Sequence, residues 1–425
     1  MPLHSIETIA PKLRARLAAV CGAVLLSLVA IVFARCGELA QAGFARAQAL
    51  SPYAPLVLTP AIFVIVVHLT RRWYPEARGS GIPQAISAGH NPGAGATGPL
   101  ISLRTSAAKF AGTIAILCVG GSVGREGPTV QISAAVMAAV HRWLRVPVTA
   151  GVIIAGGAAG VAAAFNTPLA GVAFAIEELA SAFEQKVAVF VMAAVMISGM
   201  VSLGLAGDYV YFGTMSQALP VQDMIIVAPL AGVVGGVAGG LFSRTLIAFA
   251  WAGSPVLAWT RSHPLVLAGT CGLVVAVMGV ATHGQTWGTG YETTKALLGG
   301  EDASLLFGPA KFLASLATAL SGAPGGIFAP SLSVGAGLGR LLAELIPAAP
   351  AGAVVLLGMA GYFTGVVGAP LPASIIMMEM TAERSMILPL FATALIADWI
   401  SSRVCRPKLY HALSRQFSGR PARPE

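Results

Sequence analysis

Long apolar runs, interrupted by short stretches rich in glycine and proline, set the pattern of this chain. Five runs, 17–34, 54–69, 187–206, 224–251 and 265–280, are read as helices that cross a bilayer, at about 1.5 Å of rise per residue, and 387–400 closes the membrane part. Between them lie shorter, broken runs: 109–119, 132–140, 151–165 and 170–176 in the first half, then 309–320, 331–346, 351–367 and 372–378 in the second. Short segments of this kind suit helices that enter a membrane without simply crossing it. Three polar stretches, 70–104, 207–223 and 282–308, complete the pattern, and 207–223 reads as a hinge between two halves.

Composition agrees. Of 425 residues, 56% are hydrophobic and only 10% charged, and the mean hydropathy is +0.80. A soluble domain carries about 25% charged residues. The chain is therefore expected to be an all-α polytopic membrane protein. Its 50 glycines suit close helix packing and broken helices. The net charge of +9 is concentrated at the ends: Lys12, Arg14 and Arg16 precede the first run, and Arg403, Arg406, Lys408, Arg415, Arg420 and Arg423 follow the last. The positive-inside rule then places both termini in the cytoplasm, with an even number of crossings. No basic patch suggests nucleic-acid binding. The five cysteines (Cys21, Cys36, Cys118, Cys271, Cys405) form no CxxC, and the seven histidines form no HExxH, so neither a disulfide framework nor a metal site is implied. The run 17–34 carries no convincing cleavage site and is read as a retained helix.

The chemistry concentrates in residues 120–131, GGSVGREGPTVQ. A carboxylate between membrane segments is costly unless it is paired, protonated or facing water, which marks Glu126 as a functional candidate. Gly121, Gly124 and Gly127 let successive N–H groups point at one spot, and Pro128 suits a helix's first turn. A loop feeding a helix N-terminus favours anions, and here Glu126 can occupy that place itself. The plainer reading is a turn in which Arg125 and Glu126 pair at the membrane boundary.

The second half repeats the first. Ala108-Lys109-Phe110 recurs as Ala310-Lys311-Phe312, Gly124–Pro128 aligns with Gly326–Pro330, Pro168-Leu169 with Pro370-Leu371, and Glu177 with Glu379, always 202 residues apart. Gly79-Ser80-Gly81 matches Gly288-Thr289-Gly290 at 209. Repeats with broken helices that meet near the midplane belong to transporters. Three stretches share one design, glycines followed by a proline: Gly79-Ser80-Gly81-Ile82-Pro83, the loop at Glu126, and Gly325-Gly326-Ile327-Phe328-Ala329-Pro330. If their N-termini converge, the site is built from backbone N–H groups and the Ser80 hydroxyl, which suits a small monovalent anion that must leave as readily as it enters. Taken singly, Ser80 is a cap and Phe328 a core residue. Lys109 and Lys311 are buried candidates that could offset nearby carboxylates, with no transport role assigned.

GSGIP (79–83), GREGP (124–128) and GIFAP (326–330), in that order, resemble the three signature motifs of the CLC chloride channel and transporter family. The resemblance continues through AAFNTPLAGVAFAIEEL (163–179), GAPLPASIIMMEMT (368–381) and KLY (408–410), and covers roughly residues 55 to 412. It implies two inverted-topology repeats of tilted and broken helices, and a homodimer with one pore per subunit in the inner membrane of the cell. It also implies that Ser80 and Tyr410 supply hydroxyls to a central anion and that Ile327 and Phe328 supply N–H groups. Gly79, Gly81, Pro83, Gly124, Arg125, Gly127 and Pro128 would shape the selectivity loops. Glu126 would be the gating glutamate, and Glu178 would resemble the internal proton-transfer glutamate of the family's exchangers. Ser80 fits the chloride pattern, whereas nitrate-type relatives carry Pro there and the fluoride branch departs from GSGIP. The match around Tyr410, RPKLYHAL, is looser than the others. Tyr410 could instead be an interfacial anchor, and Glu178 could pair with a base at the cytoplasmic edge.

The expected organisation is a cytoplasmic lead (1–16), a first repeat half (17–206), a connecting loop (207–223), a second repeat half (224–405) and a short tail (406–425) without the paired regulatory domains of many eukaryotic relatives. The expected partners are chloride, protons, the bilayer and a second copy, with no cofactor. Exchange of chloride for protons is the leading reading. A passive chloride channel is the alternative, against which Glu178 argues. From another class, an intramembrane hydrolase would use Ser80 with His68, His90 or His141 as base, but no GxSxG elbow is present.

Overall fold

The computed structural model describes residues 3–92, 98–179, 185–215, 217, 219–251 and 254–418. Arg420 and Arg423 lie outside the described residues, as do parts of the lead, the connecting loop and the tail. Among the described residues the chain forms α-helices, short 3-10 turns and one π-helical turn. Extended pairing is limited to one isolated antiparallel bridge, Gly124 with Gly326.

Six helices are long and apolar enough to cross a membrane: Lys12–Leu50, Pro55–Trp73, Val187–Ala206, Gln222–Trp251, Pro264–Ala281 and Ile387–Val404. They contain the five runs read as spans and 387–400, apart from Ala54, which precedes its helix. Many of their apolar side chains face outward, among them Val57, Ile225, Val189 and Leu388. In water that would be unfavourable, whereas in a bilayer it is the expected surface.

The first run extends into a helix of 48 residues, Leu3–Leu50, which takes in residues 3–16. The loop 207–223 is tied to the second half by hydrogen bonds. Phe212 N–H donates to Met380 O at 2.9 Å, Met215 N–H to Thr381 O at 3.0 Å, and Gly352 N–H to Gln217 Oε1 at 2.8 Å, which pins the connector to the second half.

The short helices Ala150–Phe165 and Ala351–Val367 are buried along almost their whole length. They form the inner layer that the long helices surround. Each ends in a left-handed residue, Asn166 at φ 57° and Gly368 at φ 75°. Each is followed by a proline-started helix, Pro168–Phe174 and Pro370–Thr381. Asparagine is among the few side-chain-bearing residues that enter this backbone region readily, so two different residues make the same turn.

The repeats tie each other down through those two prolyl helices. Glu379 accepts hydrogen bonds from Leu169 N–H at 3.2 Å and Ala170 N–H at 2.7 Å. Glu177 accepts from Leu371 N–H at 2.9 Å. Each carboxylate thus caps a helix N-terminus in the opposite half, where the helix dipole favours a negative charge. This explains why both glutamates recur with the same offset as the prolines.

Candidate functional site

Both Gly-rich loops turn into helices earlier than their apolar runs suggest. The helices are Glu126–Trp143 and Phe328–Leu345, each of 18 residues. The prolines expected where the helices begin, Pro128 and Pro330, lie in these first turns. A first turn needs no internal N–H acceptor and tolerates proline, so Glu126-Gly127-Pro128 and Phe328-Ala329-Pro330 are helical although they are not uniformly apolar. Just upstream, Gly124 N–H donates to Gly326 O at 2.7 Å and Gly326 N–H to Gly124 O at 2.8 Å. That reciprocal pair brings the two helix N-termini together across the repeat axis.

The third loop joins them. Gly325 N–H donates to Gly79 O at 3.0 Å. Gly81 holds φ at 111°, ahead of the helix Ile82–His90, and a Cβ there would lie 2.6 Å from Gly127 O. A Cβ on Gly127 would strike Ser80 Oγ. At these two positions glycine is required by contact, and at Gly81 also by backbone angle. The convergence inferred from the sequence is present.

The loop at Ser80 is held from behind by Lys109. This fully buried lysine donates from Nζ to Arg78 O at 3.1 Å and Gly79 O at 2.7 Å. In the other half Lys311 Nζ donates to Thr286 O at 2.9 Å and Gly288 O at 2.7 Å. The lysines bind loop carbonyls, and the expectation that they offset carboxylates is corrected. Each ties down a glycine loop by donating to its carbonyls; Arg78 O and Gly79 O also accept from Gln84 Nε2 and Gly325 N–H.

Glu126 is 1% exposed. Its Oε2 accepts from Ala329 N–H at 3.4 Å, and Oε1 has no partner. The N–H groups of Arg125 and Glu126 also face the carboxylate. Glu126 therefore occupies the place at paired helix N-termini that an anion would take. Arg125 turns away, donating from Nη1 to Ala34 O at 2.5 Å and Glu38 Oε1 at 3.2 Å. Simple pairing of Arg125 with Glu126 is thus not what holds this turn.

Ser80 and Tyr410 both line one cavity of about 330 Å³, together with Gly79, Pro83, Gly326 and Ile327. The two hydroxyls lie within range of each other, yet neither has a hydrogen-bond partner of good geometry. Tyr410 is fully buried in the short helix Leu409–Ser414. Buried hydroxyls without partners are rare in folded proteins, and two at one cavity suit a polar guest. Phe328 offers a first-turn N–H, while its ring packs on Phe165, Phe174 and Phe363. A second cavity of about 840 Å³ reaches Arg125, Glu38, Tyr209 and Tyr291. The N-terminus of Glu126–Trp143 separates the two: Arg125 faces one, and Ser80, packed on Gly127, faces the other.

Glu178 lies in the π-helical turn Ala175–Leu179, fully buried, with both carboxyl oxygens unpartnered. Its neighbour Glu177 caps the opposite repeat, so adjacent glutamates have distinct surroundings. The helix caps Glu177 and Glu379, and Glu38 as partner of Arg125, were not assigned from sequence. The constant 202-residue offset was the available signal for the caps. Nothing local marked Glu38. The hydrolase reading finds no base: His90 and His141 bind carbonyls of their own helices through Nδ1, and the Ser80 hydroxyl has no histidine partner. Among the described residues no group of three His, Cys, Asp or Glu could hold a metal.

Comparison with known proteins gives a consistent picture. The family model described as voltage gated chloride channel matches residues 62–402. A protein of Yersinia pestis bv. Antiqua (strain Angola) named H(+)/Cl(-) exchange transporter ClcA is 32% identical over 385 residues, covering 84% of this chain and 76% of that protein. A ClcA exchange transporter of Vibrio vulnificus (strain YJ016) is 31% identical over 384 residues, covering 84% and 78%. Among solved structures, a slow cyanobacterial Cl-/H+ antiporter superposes with a TM-score of 0.80 at 24% identity, covering 95% of this chain and 98% of the other. A CLC-type fluoride/proton antiporter gives 0.78 at 22%, covering 94% and 96%. At these identities the structures speak for the fold.

Proposed function

The chain belongs to the voltage-gated chloride channel (CLC) family, and from that premise we propose that it exchanges chloride for protons across the membrane. One observation carries this reading. Two buried carboxyl groups with unpartnered oxygens, Glu126 and Glu178, accompany a cavity lined by the unpartnered hydroxyls of Ser80 and Tyr410. The relatives named as exchangers support the same activity.

In this reading chloride sits between Ser80 Oγ and Tyr410 OH, near the N–H groups of the N-cap Ile327 and of Phe328. Partial charges attract it without the tight hold of a full cation, so it can leave. Glu126, as a carboxylate, fills the neighbouring anion place at the paired helix N-termini and blocks passage. Protonated, it loses its attraction for the N–H groups and vacates that place for chloride. Glu178 supplies protons from the inner side. Anion and proton movements are then coupled because one position takes either chloride or the Glu126 carboxylate.

The basic residues Arg71 and Arg78 line the cavity that contains Ser80 and Tyr410. Together with the charge at the chain's ends, they support a cytoplasmic location for that face and for both termini, in a bacterial inner membrane. Outward-facing Met192, Met196 and Met200 on Val187–Ala206, with Leu388 and Leu395 on Ile387–Val404, offer apolar surface for a second copy. A homodimer with one pore per subunit fits that surface.

The test uses purified protein in liposomes with a chloride gradient as the only driving force. Wild type moves protons uphill, and Glu178→Gln abolishes this while chloride still flows. Chloride flow without uphill proton movement in wild type would make the protein a channel.

A further inference from the structure

Glu178 is closed off from water: its side chain is 0% exposed and neither oxygen has a hydrogen-bond partner. A proton that reaches it from the aqueous phase needs a carrier. Among the described residues, the one ion-pair contact within 4 Å is His411, whose Nε2 lies 3.9 Å from Glu178 Oε1. The His411 side chain is 35% exposed. One imidazole therefore touches both the surface and the sealed carboxyl.

We propose that His411 is the proton-entry group that loads Glu178 from the cytoplasmic side. The inference rests on the exchange reading above and adds a residue to it. His411 follows Tyr410 directly in the helix Leu409–Ser414. That short helix thus presents a hydroxyl to the anion cavity and, one residue further on, an imidazole to the proton acceptor.

The step balances as a plain proton transfer. Water delivers a proton to the neutral ring, which becomes imidazolium. The Nε2–H then passes its proton to the Glu178 carboxylate, giving the acid and the neutral ring. The 3.9 Å gap exceeds direct hydrogen-bond reach, so the ring closes by about 1 Å or uses one bridging water. The charged and titratable groups around the ring suit this task. Besides Glu178 they are Lys408 ahead of it in the chain, Arg415 after it, and His90 at the end of Ile82–His90. Burial first, then the cations Lys408, His90 and Arg415, hold the imidazole below its ordinary pKa. The resting ring is neutral at pH 7, and its protonated form gives up the proton readily. Lys408 is exposed and near Glu178 as well, but it has no ion-pair contact with that carboxyl within 4 Å.

The experiment measures chloride-driven proton uptake by the full chain in liposomes, for wild type, His411→Ala, His411→Asn and Glu178→Gln. Both His411 variants are expected to slow proton movement about tenfold. Free imidazole should restore much of the rate in His411→Ala. The wild-type dependence on inner pH should show an inflection below about 6.5 that both variants lack. His411→Asn keeps a polar side chain of similar size without titrating, so it carries the test should the alanine variant fold poorly. Wild-type rates in His411→Asn, or a loss in His411→Ala that imidazole leaves untouched, would overturn the proposal. If Glu178→Gln stops pumping while the His411 variants pump normally, exchange stands and the role of His411 alone falls. If wild type pumps no protons, the exchange reading fails and this one with it.

Discussion

The two repeats build the same corner of the molecule twice, yet they finish it differently. In the first, the Gly-rich loop enters its helix at Glu126. In the second, 202 residues later, it enters at Phe328. Gly127 corresponds to Ala329, and Ser80 to Thr289. The Thr289 hydroxyl and its N–H both donate to Gln41 Oε1 at 3.1 Å, whereas the Ser80 hydroxyl has no partner. The Phe328 ring packs among three other phenylalanines, whereas Glu126 keeps an unpartnered oxygen. The shared parts are the frame: a buried lysine on loop carbonyls, a glutamate capping the opposite repeat, a proline in the first turn. The differing parts hold the polar groups left unsatisfied. Duplication supplied a two-sided frame, and at these paired positions it is the first repeat that carries the unpartnered groups, Ser80 and Glu126.

That contrast can be broken most severely at Gly127. Gly127→Ala places a methyl group against Ser80, 3.0 Å from its carbonyl oxygen. Overpacking of this kind costs about 1–3 kcal/mol. Chloride flux should fall at least about tenfold, although the second repeat carries alanine at the equivalent place. Flux assays beside thermal unfolding in detergent would check both effects, and wild-type flux would show that the close approach is not essential.

The lysines come next. Lys311→Met should destabilise by about 2 kcal/mol, because it removes the side-chain donor to the buried Thr286 and Gly288 carbonyls, whereas Lys109→Met should cost less, since Arg78 O also accepts from Gln84 Nε2 and Gly79 O from Gly325 N–H. Only Lys109→Met should also reduce chloride flux, since its carbonyls belong to the Ser80 loop. Equal flux losses in both would mean that the halves contribute alike.

The caps are worth less. Glu177→Gln and Glu379→Gln should lower stability by about 1 kcal/mol each and leave uphill proton movement intact. Loss of pumping in Glu177→Gln would contradict the separation of cap from proton acceptor in the Glu177-Glu178 pair. The smallest effect is expected at the hydroxyls. Ser80→Ala removes one donor to the anion, about 1 kcal/mol, or roughly fivefold weaker chloride binding by calorimetry. Thr289→Ala should leave chloride affinity unchanged.

The frame was largely legible in the sequence, because its signals are periodic or repeated. The long apolar runs lie within observed helices apart from Ala54, and the three glycine–proline stretches meet as their shared design suggests. The prolines at 128 and 330 mark first turns that apolar character alone does not, since Gly, Pro and Glu are not uniformly apolar. For the connector at 207–223, polar composition says nothing about backbone bonds to Met380 and Thr381. Lys109 and Lys311 were noticed but misread: a buried cation suggests a carboxylate, and peptide carbonyls leave no trace in a sequence. The Glu38 partner of Arg125 and the His411 neighbour of Glu178 depend on long-range packing, which no spacing encodes.

The central claim is that the Glu126 carboxylate, set at the paired helix N-termini, couples the two ions. The direct test is chloride-driven proton pumping by Glu126→Ala, recorded with chloride efflux from the same vesicles. The account predicts that proton movement disappears while chloride still flows down its gradient. Uphill proton movement that persists without the Glu126 carboxylate would contradict it.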